Sequence, residues 1–318
     1  MTRLVAITGA TGFAGRHALA ELMRRGHQLR ALVRSPGAAR LPEGVEMVAG
    51  GLSDADALQR LVTGADAVVH LAGVLAALDR QGYFSVNFTG TEALAGAALR
   101  ARVGRFVHIS SLAAREPQLS HYAASKNAAE QAVARQGPAF NAVIIRPPAV
   151  YGPGDRGTLP LIRELTRPVA AIPGQRAARF SLIHARDLAR IIADTIEGTE
   201  QGIHEVSDGR PGGYGWEELI STASAFRGAR VNALFLPRAV PAMVAAGAEA
   251  LARITGRPGL VNRGKVAELY HPDWVCREGT LRLADPIRFE QGFAETVAWY
   301  REAGWLPRGA AADRSPAH

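Results

Sequence analysis

The chain has 318 residues, 47% apolar and 21% charged, an ordinary globular make-up with length for one large α/β unit or two modest domains. Its net charge of +8 comes from scattered basic residues, with sparse aromatics and no nucleic-acid motif, so it reads as an arginine-rich surface and not as a nucleic-acid partner. A single cysteine, Cys276, excludes an internal disulfide and a Cys-rich metal site. No apolar run approaches the ~18 residues that span a membrane, and the first apolar run is too short for a signal peptide, so the expectation is a cytoplasmic protein.

Leu4-Val5-Ala6-Ile7 is a short apolar run that reads as a buried parallel strand. It leads straight into Thr8-Gly9-Ala10-Thr11-Gly12-Phe13-Ala14-Gly15 and then a helix over 16–25, with Ala18, Leu19 and Leu22 at helical spacing. Strand, glycine-rich turn and helix is the layout that places a diphosphate on a helix N-terminus. Gly9 suits the tight turn, Gly12 lets backbone approach phosphate, and Gly15 lets the helix pack close to the strand. The spacing is G-x-x-G-x-x-G.

Further strands are expected at 28–33, 45–48, 67–71, 105–109 and 142–146. Helices are expected at 53–62 behind Ser53-Asp54, at 87–102, and at 120–136 behind a Ser120 cap with a stop at Gly137-Pro138. This alternation predicts a parallel sheet with helices on both faces. After Pro147-Pro148 the pattern loosens. An extended piece at 179–183, a helix at 187–196 and a strand at 203–206 that rejoins the main sheet come first. A helix at 216–226, a strand at 231–236, an Ala-rich helix at 241–254, a last helix at 289–303 and a frayed tail at 308–318 follow.

Tyr122 and Lys126 stand four apart inside the helix at 120–136 and so share a face. A phenol of pKa about 10 is a poor acid or base at neutral pH. A lysine charge about 4 Å away is worth about 4 kcal/mol at an effective dielectric of 20, roughly three pKa units, and predicts a lowered Tyr122. The bland alternative is a surface helix in which Lys126 pairs with Glu130. Ser110-Ser111 closes the fifth strand at its carboxyl end, where open α/β sheets bind ligands, and a hydroxyl there can hold a substrate oxygen against Tyr122.

The Thr8–Gly15 turn, Leu71-Ala72-Gly73, Asn87, Ser110-Ser111, Tyr122/Lys126 and the segment from Arg146-Pro147-Pro148 to Gly154 together resemble the short-chain dehydrogenase/reductase superfamily. The length and the Arg-Pro-Pro segment resemble its extended branch, the NAD(P)-dependent epimerase/dehydratase family, and the likeness runs through the closing helix to Leu306. The resemblance implies an α/β, Rossmann-type doubly wound parallel sheet over 1–152, rejoined by about 180–208, with a smaller C-terminal α/β substrate-binding part over 153–318. It implies that Gly9, Thr11, Gly12, Phe13, Ala14 and Gly15 take the cofactor diphosphate. Leu71, Ala72 and Gly73 would line the adenosine side, Leu52 the adenine, and Pro147 and Val150 the nicotinamide end. Asn87 would support the active-site helix, and Ser110 would flank the cofactor. Lys126 would bind the nicotinamide ribose as well as tune Tyr122, and Ser111 would hold the substrate.

Two departures stand out. The second strand ends in Arg34-Ser35 where an acid usually accompanies NAD, so a guanidinium suited to a phosphate favours NADP(H), with NAD(H) the alternative. Gly50-Gly51-Leu52 lacks the Asp often found before the Leu. The short Ser111–Tyr122 interval and the apolar segments of the second half favour a reductase of a small-molecule carbonyl or secondary alcohol. A nucleotide-sugar epimerase/dehydratase and a non-catalytic cofactor-binding regulator or assembly factor stay open. His184, His204 and His271 read as structural, with no metal expected. The 241–254 helix reads as packed, leaving peripheral membrane contact open, and the oligomeric expectation is a monomer or homodimer.

Overall fold

Alternate residues of the first strand, β1 (Leu4–Thr8), point to opposite faces, and both faces are dry. Val5 and Ile7 join one core cluster and Ala6 the other. The computed structural model describes residues 2–137, 139–277 and 281–307, so the expected 308–318 tail and Pro138 lie outside the described residues. In chain order follow α1 (Phe13–Arg24), β2 (Gln28–Val33), β3 (Glu46–Ala49), α2 (Ala55–Val62), β4 (Ala67–His70), α3 (Arg80–Phe84), α4 (Gly90–Arg100), β5 (Arg105–Ile109), α5 (His121–Ala134) and β6 (Ala142–Arg146). Next come β7 (Ala149–Tyr151), α6 (Leu159–Leu165), β8 (Val169–Pro173), β9 (Arg179–Phe180), β10 (Leu182–His184), α7 (Ala185–Glu197) and β11 (Gly202–Glu205). The chain closes with β12 (Tyr214–Gly215), α8 (Trp216–Arg227), β13 (Asn232–Leu236), α9 (Ala239–Thr255), α10 (Arg263–Leu269), β14 (Asp273–Trp274) and α11 (Phe289–Glu302).

The main sheet has seven parallel strands in the order β11-β6-β5-β4-β1-β2-β3, a Rossmann-like doubly wound sheet. The strand order reverses between β1 and β4, which run in register from Val5↔Ala67 to Thr8↔His70. That reversal opens the crevice at the carboxyl edge where ligands of such sheets bind. On one face Ala18, Leu19 and Leu22 of α1 pack with Ile191, Ile192 and Ile196 of α7. On the other, Leu58 and Leu61 of α2 meet Leu94, Ala95 and Ala98 of α4. A third cluster around Tyr151, Tyr214, Trp216, Phe289, Phe293 and Tyr300 holds the second part of the chain together.

The expected helix at 87–102 is corrected. The chain is already helical from Arg80, passes through a π-helical turn at Ser85–Thr89, and ends regular helix at Arg100. Such turns insert a residue and redirect a side chain, and here the side chain is Asn87. Helices α6 and α10 were not anticipated, because each is only seven residues long. What orders α10 is its Asn262 cap, whose Oδ1 accepts from Lys265 N at 2.8 Å, and packing of Gly264 on Ser120.

Candidate active site

The turn after β1 works because three positions have no side chain. Gly9 takes φ +74°, and a Cβ there would lie 2.6 Å from Ala72 N. A Cβ on Gly15 would lie 2.0 Å from the Gly9 carbonyl oxygen, which is backbone and cannot yield. Gly12 begins α1 with neither a side-chain cap nor an acid in the first turn, so the helix's first N–H groups and positive end face the crevice. These features fit the diphosphate of a nicotinamide dinucleotide. Gly15→Ala is therefore expected to weaken dinucleotide binding at least tenfold and to cost about 1–3 kcal/mol of stability, read by cofactor titration and urea unfolding. Unchanged binding would show that α1 can shift to make room.

Opposite the turn, Leu71 N donates to Thr8 O at 3.1 Å and Ala72 N to Thr8 Oγ1 at 3.3 Å. Thr8 Oγ1 lies 2.6 Å from His70 Nδ1, and His70 Nε2 lies 2.9 Å from Thr91 Oγ1. Burial, reinforced by the Lys126 charge, pushes His70 down to about 3, so its ring is neutral at working pH. Gly73 packs on Asn87, where a Cβ would lie 3.1 Å from Oδ1. Asn87 accepts from Val74 N at 2.8 Å and donates to Val74 O at 3.1 Å and to Ser125 Oγ at 2.9 Å. It thereby ties the β4 loop to the helix carrying Tyr122. Leu52 packs against Gly90 at the start of α4.

Helix α5 begins at a Ser120 cap that accepts from Ala123 N at 2.9 Å. Tyr122 is half-buried. Burial raises its pKa to about 12, and a hydrogen bond with Ser111 pulls part of the way back. This corrects the expected lowering. Lys126 is buried, and its Nζ donates to Ile109 O at 2.8 Å, at the end of β5. Its own pKa falls to about 8 because burial penalises the ammonium, partly offset by Glu130. Lys126 does not pair with Glu130 directly. That carboxylate takes Arg146 in a fork at 2.9 and 2.6 Å and accepts from Ser110 Oγ at 2.5 Å. The Ser110 hydroxyl, expected beside the cofactor, faces the Glu130 carboxylate inside the protein, which leaves the backbone of Ser110 as the part that could meet a cofactor.

Ser111 caps the short turn Leu112–Arg115, accepting from Ala113 N at 3.2 Å. Pro147 is buried, and its carbonyl accepts from Leu112 N at 2.8 Å, holding that turn against the segment that includes the half-buried Val150. At the far end of the crevice, Arg34 and Ser35 are exposed beyond β2, and the Arg34 guanidinium has no hydrogen bond or ion pair with a described residue. Several residues were missed from sequence. Tyr83 is buried, with its ring 6.4 Å from that of Tyr122, edge to face. Asn262 Nδ2 donates to the Tyr83 hydroxyl at 3.4 Å, and Glu268 accepts from Ser120 Oγ at 2.5 Å. The spacing of Tyr83 and Asn87, four residues apart, is the one local signal that could have marked Tyr83.

The model of the NAD dependent epimerase/dehydratase family matches residues 5–206. The chain belongs to that family. It is 42% identical over 312 residues to a protein of Caulobacter vibrioides named ceramide reductase, covering 96% of each chain. It is 35% identical over 181 residues to a protein of Stigmatella aurantiaca named 4-hydroxy-2-methyl-3-oxo-4-farnesyl-3,4-dihydroquinoline-1-oxide ketoreductase, covering 51% of this chain and 54% of that one. Among solved structures it resembles the Bordetella bronchiseptica enzyme WbmH in complex with NAD+, with a TM-score of 0.71 at 20% identity, over 95% of this chain and 99% of that one. The fold is that of the family, and the protein is an enzyme of this oxidoreductase and epimerase group.

Proposed function

We propose that the protein is an NADP(H)-dependent reductase that converts a ketone on a long-chain, ceramide-class lipid to a secondary alcohol. The observation that carries this reading is the Tyr122 phenol hydrogen-bonded to Ser111 at the carboxyl edge of the sheet, beside a turn that fits a dinucleotide. The substrate class comes from the 42% identical ceramide reductase, which the chain matches from end to end. When bound, the nicotinamide supplies the hydride to the carbonyl carbon. Ser111 holds the carbonyl oxygen, and Tyr122, kept protonated by its burial, gives that oxygen its proton. Lys126 has one acceptor, Ile109 O, and ammonium protons left over for the nicotinamide ribose hydroxyls. Glycines 9, 12 and 15, with the N–H groups of Phe13 and Ala14, hold the diphosphate.

Arg34 supports the choice of NADP(H), because an exposed guanidinium with no partner among the described residues serves a ribose phosphate and leaves a hydroxyl pair unserved. Purified enzyme given a keto-ceramide and NADPH is expected to show steady loss of reduced-cofactor absorbance and an alcohol product by mass spectrometry. Arg34→Ala is expected to raise KM for NADPH about tenfold and leave KM for NADH unchanged. No net cofactor turnover with any ketone would favour the epimerase chemistry of the family. Equal effects of Arg34→Ala on both cofactors would remove the NADP(H) assignment.

A further inference from the structure

Helix α9 is built inside out. Its inner stripe is small: Ala245 is buried, while Pro241, Ala242, Ala248 and Ala252 are half-buried. Its large apolar side chains point the other way, with Met243 68%, Val244 59%, Leu251 61% and Ile254 84% exposed. Residues 240, 243, 244, 251 and 254 recur at helical spacing, so they make one continuous outward stripe. Leu260 and Val261, beyond the helix end, are also exposed. A helix packed for a protein core turns its large side chains inward. The one acid on α9, Glu249, is half-buried and taken by Arg263, whose backbone N–H donates to it at 2.8 Å and whose Nε lies 3.6 Å away. Arg238, before the helix, and Arg253 and Arg257 at its far end are exposed, and their guanidinium groups have no hydrogen bond or ion pair with a described residue. The outward face is therefore apolar along its length, cationic at both ends and free of negative charge.

We propose that α9 lies flat on an anionic lipid bilayer, with Met243, Val244, Leu251 and Ile254 among the acyl chains and Arg238, Arg253 and Arg257 on the headgroup phosphates. Seventeen residues at 1.5 Å each make a face about 25 Å long. A second copy of the chain is the poorer occupant. Pairing this face with itself across a two-fold axis would set unpaired arginines against one another with no acid to meet them. The surface is also joined to the reacting end. Asn262, just beyond Val261, caps α10 and donates to Tyr83, whose ring touches that of Tyr122. A lipid leaving the bilayer along α9 arrives where the carbonyl is to be reduced. This inference rests on the reductase reading for the identity of the lipid, but not for the docking.

The test is sedimentation of the full chain with phosphatidylcholine vesicles, with and without phosphatidylglycerol. Binding is expected with phosphatidylglycerol, weakening steeply as salt rises, and little without it. Met243→Glu/Ile254→Glu should lower the partition coefficient at least tenfold. Arg253→Glu/Arg257→Glu should abolish the preference for phosphatidylglycerol. Both variants should reduce a short, water-soluble ketone at the wild-type rate, which shows that they fold. Binding that ignores lipid charge overturns the proposal. So does a dimer, seen by analytical ultracentrifugation, that Met243→Glu/Ile254→Glu dissociates while vesicle binding is absent. Vesicle binding without keto-ceramide reduction leaves docking standing and removes the substrate reading; reduction in detergent without vesicle binding does the reverse.

Discussion

Tyr122→Phe is expected to lower kcat/KM for ketone reduction by about 10²- to 10⁴-fold while leaving the fold and cofactor affinity in place. The phenyl ring keeps the edge-to-face contact with Tyr83 at 6.4 Å, so the variant loses a hydroxyl and little packing. What goes is the proton for the substrate oxygen and the partner of Ser111. Because burial holds the phenol protonated to about pH 12 in the ligand-free protein, the wild-type group is an acid throughout the neutral range. Steady-state kinetics and dinucleotide titration on the same preparation check both halves. A variant that retained full turnover would transfer the proton-donating role to another group and remove Tyr122 from the mechanism.

Below pH 6.5 the protein is expected to lose stability steeply. His70, His108 and His184 are buried, and burial is the first cause of the depressed pKa of each, with His70 and His184 at about 3 and His108 well below its usual value. An unfolded histidine takes a proton near 6.5, whereas these folded ones do not until far lower. The unfolded state therefore binds more protons, and stability falls as pH falls from 6.5 towards 3. Each ring contributes about 1.4 kcal/mol per pH unit, the three together roughly 4, against a total stability of about 5–15 kcal/mol. Asp187 and Asp208, whose pKa values burial raises, act in the opposite sense and soften the slope. Urea midpoints at pH 7 and pH 5 measure it.

His108 isolates one share of that slope. Neither of its ring nitrogens has a hydrogen-bond partner among the described residues, so little is forfeited when the ring is removed. His108→Leu is expected to be about 2 kcal/mol more stable than wild type at pH 5, relative to their difference at pH 7. Equal pH slopes in the two proteins would mean that His108 takes up its proton while folded.

Local chemistry accounts for much of what could be read in advance. Three glycines directly after an apolar strand specify a turn that only missing side chains permit, and the structure shows the collisions that any Cβ would bring at Gly9 and Gly15. The Ser120 and Asp54 caps follow from a side-chain oxygen three residues before an unpaired N–H. Alternation of strands and helices led to the parallel sheet, because buried strands and amphipathic helices carry different periods. The four-residue spacing of Tyr122 and Lys126 placed them on one helix face, but a spacing says nothing about depth. Only the packing of α5 on the sheet decided that Lys126 is buried on the Ile109 carbonyl, and that burial raises Tyr122 more than the Ser111 hydrogen bond lowers it. The pairing of Ser110 with Glu130 and Arg146 and the approach of Tyr83 to Tyr122 likewise join residues 16 to 39 positions apart. Contacts of that kind leave no period in the chain, since they depend on which helix covers which strand. Desolvation, the largest influence on the titrating groups of this site, comes into being only when those layers close.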